Sequence, residues 1–258
     1  MSSTVLHPTY IATRYVRALL RQPYYVAVTL VQPVIWLLLF GQLFKNVTQL
    51  PGFGADGYIT FLTPGVMVMT ALYSSGWSGM GYIIDMDRGV MDRFLVAPVR
   101  RNSLLAGQLV YQVLLTLVQS LIIIGLSLLV GARFDGPVLG MIAFFTATVL
   151  LGIAMASFSN LIALQLRKQE TVIAVVNLLV LPLSFLSSAF MPAALAPNWI
   201  RAVAGFNPVN WAVEVGHQAL AADTDWRFVL YHLGYLLVLA IISAGLATRA
   251  FRSYQRSV

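Results

Sequence analysis

Cysteine is absent from this sequence, and charged residues are scarce. Without cysteine the chain can form neither disulfide bonds nor a thiolate nucleophile. Charged residues make up 10% of the chain, whereas soluble globular proteins average about 25%. Hydrophobic residues reach 59%, so this composition leaves too little charge to cover the surface of a soluble domain. A membrane protein is therefore favoured over a large soluble helical protein.

Short motifs for nucleotide hydrolysis and metal binding are also missing. Neither of the two lysines, Lys45 and Lys168, follows a glycine, so the chain has no G-x-x-x-x-G-K-[ST] phosphate loop. No HExxH or CxxC motif occurs, and the three histidines are scattered along the chain. We expect no catalytic residue, no metal site and no cofactor bound by this chain itself.

Six long apolar stretches lie between the charged residues. A helix of about 20 residues crosses a hydrocarbon core of about 30 Å, and each stretch is long enough or nearly so. The pattern predicts an all-α, polytopic membrane protein with six transmembrane helices, folded as a single domain over residues 1–258. The stretches run over residues 26–44, 58–84, 104–131, 137–166, 170–191 and 227–249.

The basic residues, which give a net charge of +7, are unevenly placed. If the N-terminus is cytoplasmic and the chain crosses six times, twelve Lys and Arg residues lie on the cytoplasmic side and four on the other. Cytoplasmic loops carry such an excess, so both termini are expected in the cytoplasm. The charge then reflects topology and attraction to anionic lipid headgroups, not binding to nucleic acid.

Two segments outside the apolar stretches have a pattern of their own. Residues 10–22 separate apolar and basic faces, which predicts an N-terminal interfacial helix, although a positively charged flank is the alternative. Residues 192–224 are too polar and too rich in proline to span, yet too apolar for a solvated loop. They predict short re-entrant outer helices over about residues 196–204 and 208–220. The residues singled out there are Trp199, Phe206, Asn207, Pro208, Trp211 and Glu214.

A third segment, residues 86–101, follows the second apolar stretch on the cytoplasmic side. Apolar residues recur there at i, i+1, i+4 and i+5 among charges, and a proline ends the pattern. This spacing predicts a short amphipathic helix that docks into a groove on a partner, and the alternative is a charged loop resting on the bilayer. The residues concerned are Asp87, Arg88, Val90, Met91, Asp92, Arg93, Phe94, Leu95 and Pro98.

Polar residues form stripes on the second, third and fifth apolar stretches. They can line a pathway for an amphiphilic cargo, or they can form hydrogen bonds that hold the helices together. The candidate pathway residues are Thr70, Tyr73, Ser74, Trp77, Gln108, Tyr111, Gln112, Asn177 and Ser184. The stretches contain almost no ionisable residue, which ion-coupled carriers usually need. Energy for transport is therefore expected from another subunit.

The segment DRGVMDRFLVAPVRRNSLL, residues 87–105, resembles the cytoplasmic coupling segment of ABC-2 type transporter permeases of the daunorubicin-resistance-like and nodulation-factor-export-like branch. The sequence FLTPG at residues 61–65 resembles the opening of the second span in that family. Residues 190–209 resemble its outer "F-x-P … P-x-W … N-P" pattern. The order and spacing of the three motifs carry the resemblance. Many relatives have a glutamate-rich coupling segment, whereas this one alternates Asp and Arg.

The resemblance implies the permease of a type-2 ABC exporter with the ABC-2 fold, in a bacterial inner membrane. Such permeases pair with a second copy or a homologous permease, and two cytoplasmic ABC ATPase subunits bind ATP and Mg. The weakly polar stripes fit a hydrophobic drug or lipid-like cargo, and export of an oligosaccharide or lipid-linked glycan is the alternative. A membrane enzyme or sensor is disfavoured because no buried acid–base pair or metal cluster is evident.

Overall fold

The computed structural model describes residues 23–46, 57–90 and 102–254, and these ranges contain helices and turns but no strand. The predicted interfacial helix at residues 10–22 lies outside them. The helices are α1 (Pro23–Leu43), α2 (Tyr58–Gly76), α3 (Met80–Asp87), α4 (Asn102–Leu129), α5 (Val138–Leu166), α6 (Gln169–Phe185), α7 (Asn198–Ala204), α8 (Pro208–Ala219) and α9 (Trp226–Tyr254).

Three of these helices, α4, α5 and α9, are long and apolar enough to cross a membrane. Their apolar parts run over Leu105–Leu129, Val138–Leu166 and Trp226–Tyr254. Helices α1 and α6 contain shorter apolar segments, Ala27–Leu43 and Gln169–Phe185. The expectation of an all-helical membrane fold is confirmed to this extent, and six crossings stay a prediction.

Helix α5 is the centre of the bundle. It contacts α2, α3, α4, α6, α8 and α9, and its side chains are buried on several faces. Small residues at Gly140, Ala147 and Gly152 let neighbouring helices approach, while Phe144 and Leu151 fill the space between them with no exposed surface. The fourth apolar stretch thus forms a core helix, whereas many large side chains of α9 remain exposed.

The second apolar stretch, predicted as one helix over residues 58–84, is two helices. Helix α2 ends at Gly76, a turn follows, and α3 begins at Met80. The fifth stretch is also shorter than predicted, because α6 ends at Phe185 and an irregular segment continues to residue 192. Both deviations occur where side chains of other helices bond the backbone, as described below.

The two ends of the bundle are each closed by a small group of residues. At one end Tyr82, Leu164 and Phe251 pack together. The guanidinium of Arg167 there lies 4.6 Å from the ring centre of Tyr254. We call this the Arg167 end. We call the opposite end the Gly136 end. There the amide nitrogen of Gly136 donates to the carbonyl oxygen of Leu220, the residue after α8, at a distance of 3.0 Å.

Candidate functional site

A serine of the core helix α5 forms hydrogen bonds to the backbone of the turn between α2 and α3. Ser159 Oγ donates to the carbonyl of Gly76 and accepts from the amide of Gly79 at 3.0 Å. Both backbone groups are thus paired inside the bundle, where a buried group without a partner would be costly. The break between α2 and α3 is therefore stabilised by a tertiary contact, because the serine that bonds it lies on α5.

The polar stripe of α4 faces α2 and α1. Gln108 Nε2 donates to the carbonyl of Ser78, inside the turn, at 2.6 Å. About three turns of helix further along, Gln119 Nε2 donates to Thr29 Oγ1 of α1 at 3.2 Å. Between them Gln112 donates to hydroxyls of α2, including Ser75 Oγ at 3.0 Å. The stripe holds three helices together along its length.

A cavity of about 150 Å³ lies between α1, α2 and α4. Three aromatic side chains form part of its wall, and the rings of Trp36 and Tyr73 meet edge to face with centroids 6.1 Å apart. None of the described residues that line it is charged. The lining residues are Thr29, Gln32, Pro33, Trp36, Met69, Thr70, Tyr73, Ser74, Trp77 and Gln119.

The structure distributes the predicted pathway residues over three places. Thr70, Tyr73, Ser74 and Trp77 lie together in the cavity wall. The predicted residues of α4 do not line the cavity; Gln108 and Gln112 bond α2 instead, and Tyr111 is half-buried. On α6, Asn177 lies on the exposed face and Ser184 is buried.

The predicted pathway residues did not include the part of the cavity wall that α1 forms. Thr29, Gln32 and Trp36 all line the cavity and recur at i, i+3 and i+7 on α1. This is the spacing of one helical face, so the signal was present in the sequence. Gln119 belongs to the same polar stripe as Gln108 and Gln112, but only the structure separates it from them.

The predicted outer segment forms a junction at the Gly136 end. Asn207 Oδ1 accepts from the amide of Val209 and so begins α8, while its Nδ2 donates to the carbonyls of Leu183 and Leu186 at 2.7 and 2.8 Å. One buried side chain thus starts a helix and satisfies two carbonyls at the end of α6, one in its last turn and one at the residue that follows it. Pro208 occupies the first position of α8, where proline is favoured.

Other motif residues meet at this junction. A Cβ at Gly65 would collide with the backbone of Ala189, so only glycine permits this approach. His217 Nε2 donates to the carbonyl of Phe61 at 3.0 Å, and the two rings are stacked. Burial lowers the pKa of His217, although the Glu214 carboxylate and this hydrogen bond oppose the shift. The FLTPG motif is therefore packed against α8 and against Ala189, the residue before the F-x-P motif.

The aromatic residues of the outer segment differ in exposure. Trp199 and Phe206 are exposed, whereas the indole Nε1 of Trp211 donates to the carbonyl of Gly205 at 2.7 Å. Exposed aromatic side chains at the end of a helical bundle are typical of a membrane–water interface. Re-entry of this segment into the bilayer stays a prediction.

The predicted coupling segment begins where α3 ends. Asp87 and Arg88 are exposed and Val90 is half-buried. The rest of the segment lies outside the described residues, including Met91, Asp92, Arg93, Phe94, Leu95 and Pro98. Helix α3 itself contacts α5 and α6. Among the described residues, no three His, Cys, Asp or Glu side chains are grouped to hold a metal ion.

Comparisons with known proteins agree on a transport family. The ABC-2 type transporter family model matches residues 9–220. A Cyanophora paradoxa protein that carries the name of a transport permease is 32% identical over 209 residues, which cover 81% of this chain and 71% of that protein.

Two further relatives are permeases of ABC transporters by name. A daunorubicin resistance permease of Streptomyces coeruleorubidus is 26% identical over 221 residues, covering 86% of this chain and 77% of the relative. A Mycobacterium tuberculosis protein whose name refers to doxorubicin resistance is 24% identical over 215 residues, covering 83% and 75%.

Proposed function

Since the chain belongs to the ABC-2 type transporter family, we propose that it is the membrane-spanning permease subunit of an ATP-driven exporter. It moves a hydrophobic drug or lipid-like molecule outward and has no ATPase site of its own. Two cytoplasmic ABC ATPase subunits bind ATP and Mg and dock on residues 86–101. The observation that carries the proposal is a cavity with aromatic side chains in its wall, beside a helix break that leads into this segment.

The turn between α2 and α3 connects the proposed ATPase docking segment to the cavity. Trp77 belongs both to the turn and to the cavity wall, and α3 connects that turn to the docking segment. A push on the segment therefore reaches the cavity through eight helical residues, Met80–Asp87. Such a mechanism needs a bundle with two arrangements that ATP binding favours unequally.

In this proposal the chain crosses a bacterial inner membrane six times and both termini are cytoplasmic. The distribution of charge supports it. At the Arg167 end the described basic residues are Arg88, Arg167, Lys168, Arg249 and Arg252, and at the Gly136 end they are Lys45, Arg133, Arg201 and Arg227. These described residues alone divide five to four, so the proposed cytoplasmic position of the Arg167 end rests on the whole sequence, in which the expected split of Lys and Arg is twelve to four.

A second permease completes the exporter. The exposed face of α6 carries Leu178, Leu181 and Phe185, and Asn177 lies among them. An amide facing hydrocarbon without a partner costs several kcal/mol, on the order of 4–8. This face is therefore expected to meet a second permease or a water-filled pathway between the two copies, not lipid.

The cavity lining favours a hydrophobic cargo. It offers neutral hydrogen-bonding groups and aromatic rings, and a buried charge would find no counter-charge among the lining residues that the structure describes. The resistance functions in the names of two relatives point the same way. Export of an oligosaccharide or lipid-linked glycan is the second candidate, because Trp36, Tyr73 and Trp77 could stack against sugar rings.

The docking of the ATPase is tested by Phe94→Asp, which should abolish co-purification of the ATPase subunit while the permease still inserts. Phe206→Asp is the matched control, because it places the same change on an exposed phenylalanine at the opposite end. Normal co-purification with Phe94→Asp would refute docking at this helix. Stimulation of the reconstituted complex's ATPase activity, compared across drugs, lipids and glycans, then identifies the cargo class.

A further inference from the structure

A second and larger cavity lies at the Gly136 end, where three helices begin or end. Its volume is about 540 Å³, within the range of about 300–1,000 Å³ that is typical of ligand sites. We call it the Lys45 cleft. Its wall is formed by the end of α1, the first turn of α2 and the turn after α4, and its polar lining residues include Gln42, Lys45, Thr60, Arg133 and Asp135.

The Lys45 cleft lies at the depth where lipid headgroups are expected. The apolar segment of α1 ends at Leu43, and that of α4 ends at Leu129. The charged lining residues follow directly after these two ends, at Lys45, Arg133 and Asp135. The hydrocarbon core of a membrane ends where such apolar segments end, and the headgroup region begins there. In the proposed topology this is the outer leaflet.

Exposed apolar surface continues from the cleft towards the middle of the bundle. Leu38 lies about one helical turn before Gln42 on the same face of α1, and 44% of its surface is exposed. At the end of α4, Leu128 and Leu129 are 52% and 84% exposed. A molecule whose polar group occupies the cleft can therefore lay an apolar tail along the protein. A small soluble anion would make no use of this surface.

The charged groups at the cleft are accessible to a ligand. Lys45, Arg133 and Asp135 are all exposed. The long side chains of lysine and arginine can extend their cationic groups towards a ligand without any change in the backbone. The backbone beside them is held in place, because the amide nitrogen of Arg133 donates to Thr60 Oγ1 at 3.2 Å. This bond does not involve the guanidinium, which is left to contact other groups.

We propose that the Lys45 cleft binds the phosphate of an anionic phospholipid, with Lys45 and Arg133 contacting its oxygens. Two basic residues against one acidic residue make the described lining positive overall, which matches a headgroup with one net negative charge. An ammonium has three N–H donors and a guanidinium has five, so each can contact Asp135 and a phosphate together. The lipid is a resident of the site and not the exported molecule, so this inference goes beyond the proposed function.

The test measures binding of phosphatidylglycerol and phosphatidylcholine with identical acyl chains to the purified full-length permease by native mass spectrometry. Wild type should bind phosphatidylglycerol more tightly, because phosphatidylcholine carries no net charge. Lys45→Gln and Arg133→Gln should each weaken the binding of phosphatidylglycerol about fivefold. Arg133→Gln keeps the backbone bond to Thr60, so the position of the turn is preserved.

The chain offers a matched control for these two residues. Arg227 is also an exposed basic residue at the Gly136 end, but it does not line the cleft. Arg227→Gln should therefore bind phosphatidylglycerol as wild type does. Asp135→Asn makes the lining more positive and should strengthen the binding of phosphatidylglycerol about two- to fivefold. Poor folding cannot explain a gain in affinity, so this variant keeps the test decisive.

The lipid site is refuted if wild type binds the two lipids equally, or if Arg227→Gln loses as much affinity as Lys45→Gln and Arg133→Gln. Weaker binding in Asp135→Asn would also refute it. Inorganic phosphate offers the same oxygens without a tail, so displacement of the lipid by millimolar phosphate would assign the cleft to a soluble anion instead. The permease is measured without ATPase subunit, nucleotide or cargo, so neither result decides whether the complex exports.

Discussion

The break between α2 and α3 makes Gly79→Ala the sharpest test of the fold. A Cβ on Gly79 would lie 2.8 Å from Ser159 Oγ and closer still to the carbonyl oxygen of Ser159. That oxygen belongs to the backbone of the core helix and cannot move aside as a flexible side chain can. The substitution must therefore displace α3 or α5 and disturb the bonds of Ser159 to Gly76 and Gly79.

The magnitude follows from these two effects. Overpacking a buried contact costs about 1–3 kcal/mol, and weakening a buried hydrogen bond adds roughly 1 kcal/mol. We expect Gly79→Ala to destabilise the protein by about 2–4 kcal/mol. The measurement is the temperature at which the folded peak is lost when the purified full-length protein is heated in detergent and passed over a size-exclusion column.

Gly81→Ala is the control two residues away. Its Cβ would lie 3.6 Å from Gln108 Nε2, an ordinary contact, and alanine favours a helix over glycine by up to about 1 kcal/mol. Gly81→Ala should therefore be neutral or slightly stabilising. If Gly79→Ala melts at the same temperature as Gly81→Ala, then α3 is not held against Ser159 and the break is not a fixed part of the structure.

Three further predictions concern the Gly136 end. Asn207→Ala should destabilise the protein by about 2–3 kcal/mol, because it removes a helix cap and leaves two carbonyls at the end of α6 without their donor. Asn198→Ala, on the exposed start of α7, should change stability by no more than about 0.5 kcal/mol. Burial lowers the pKa of His217, so stability should fall as the pH drops through the ordinary histidine value of about 6.5. In His217→Gln the melting temperature should fall less between about pH 7 and pH 5 than it does in the wild type. A cysteine at position 198 should react with a membrane-impermeant reagent added from outside the cell. Labelling from the cytoplasmic side alone would show that the proposed topology is inverted.

The helices were the most predictable part of the fold. The apolar stretches located α1, α4, α5 and α9 to within a few residues, because hydropathy and helix length depend on local sequence. The break after Gly76 was not predicted. Its turn contains no proline, and it persists because Ser159, eighty residues away, satisfies the freed backbone groups.

The candidate site was predicted in part. The stripe Thr70, Tyr73, Ser74 and Trp77 was identified from helical spacing and lines the cavity. The facing residues of α1 have the same kind of spacing, but periodicity within one helix does not reveal which helix lies opposite. Likewise nothing in the sequence separates Gln119 from Gln108, since the two glutamines differ only in what surrounds them.

The sequence by itself determined the class of protein, since a chain with 59% hydrophobic and 10% charged residues must bury its helices in lipid or in one another. It also marked the polar faces that those helices could not expose to lipid. Only the tertiary structure decided which polar groups pair between helices and which are left facing a cavity. The physical reason is that a hydrogen bond at membrane depth depends on atoms from distant segments meeting within about 3 Å.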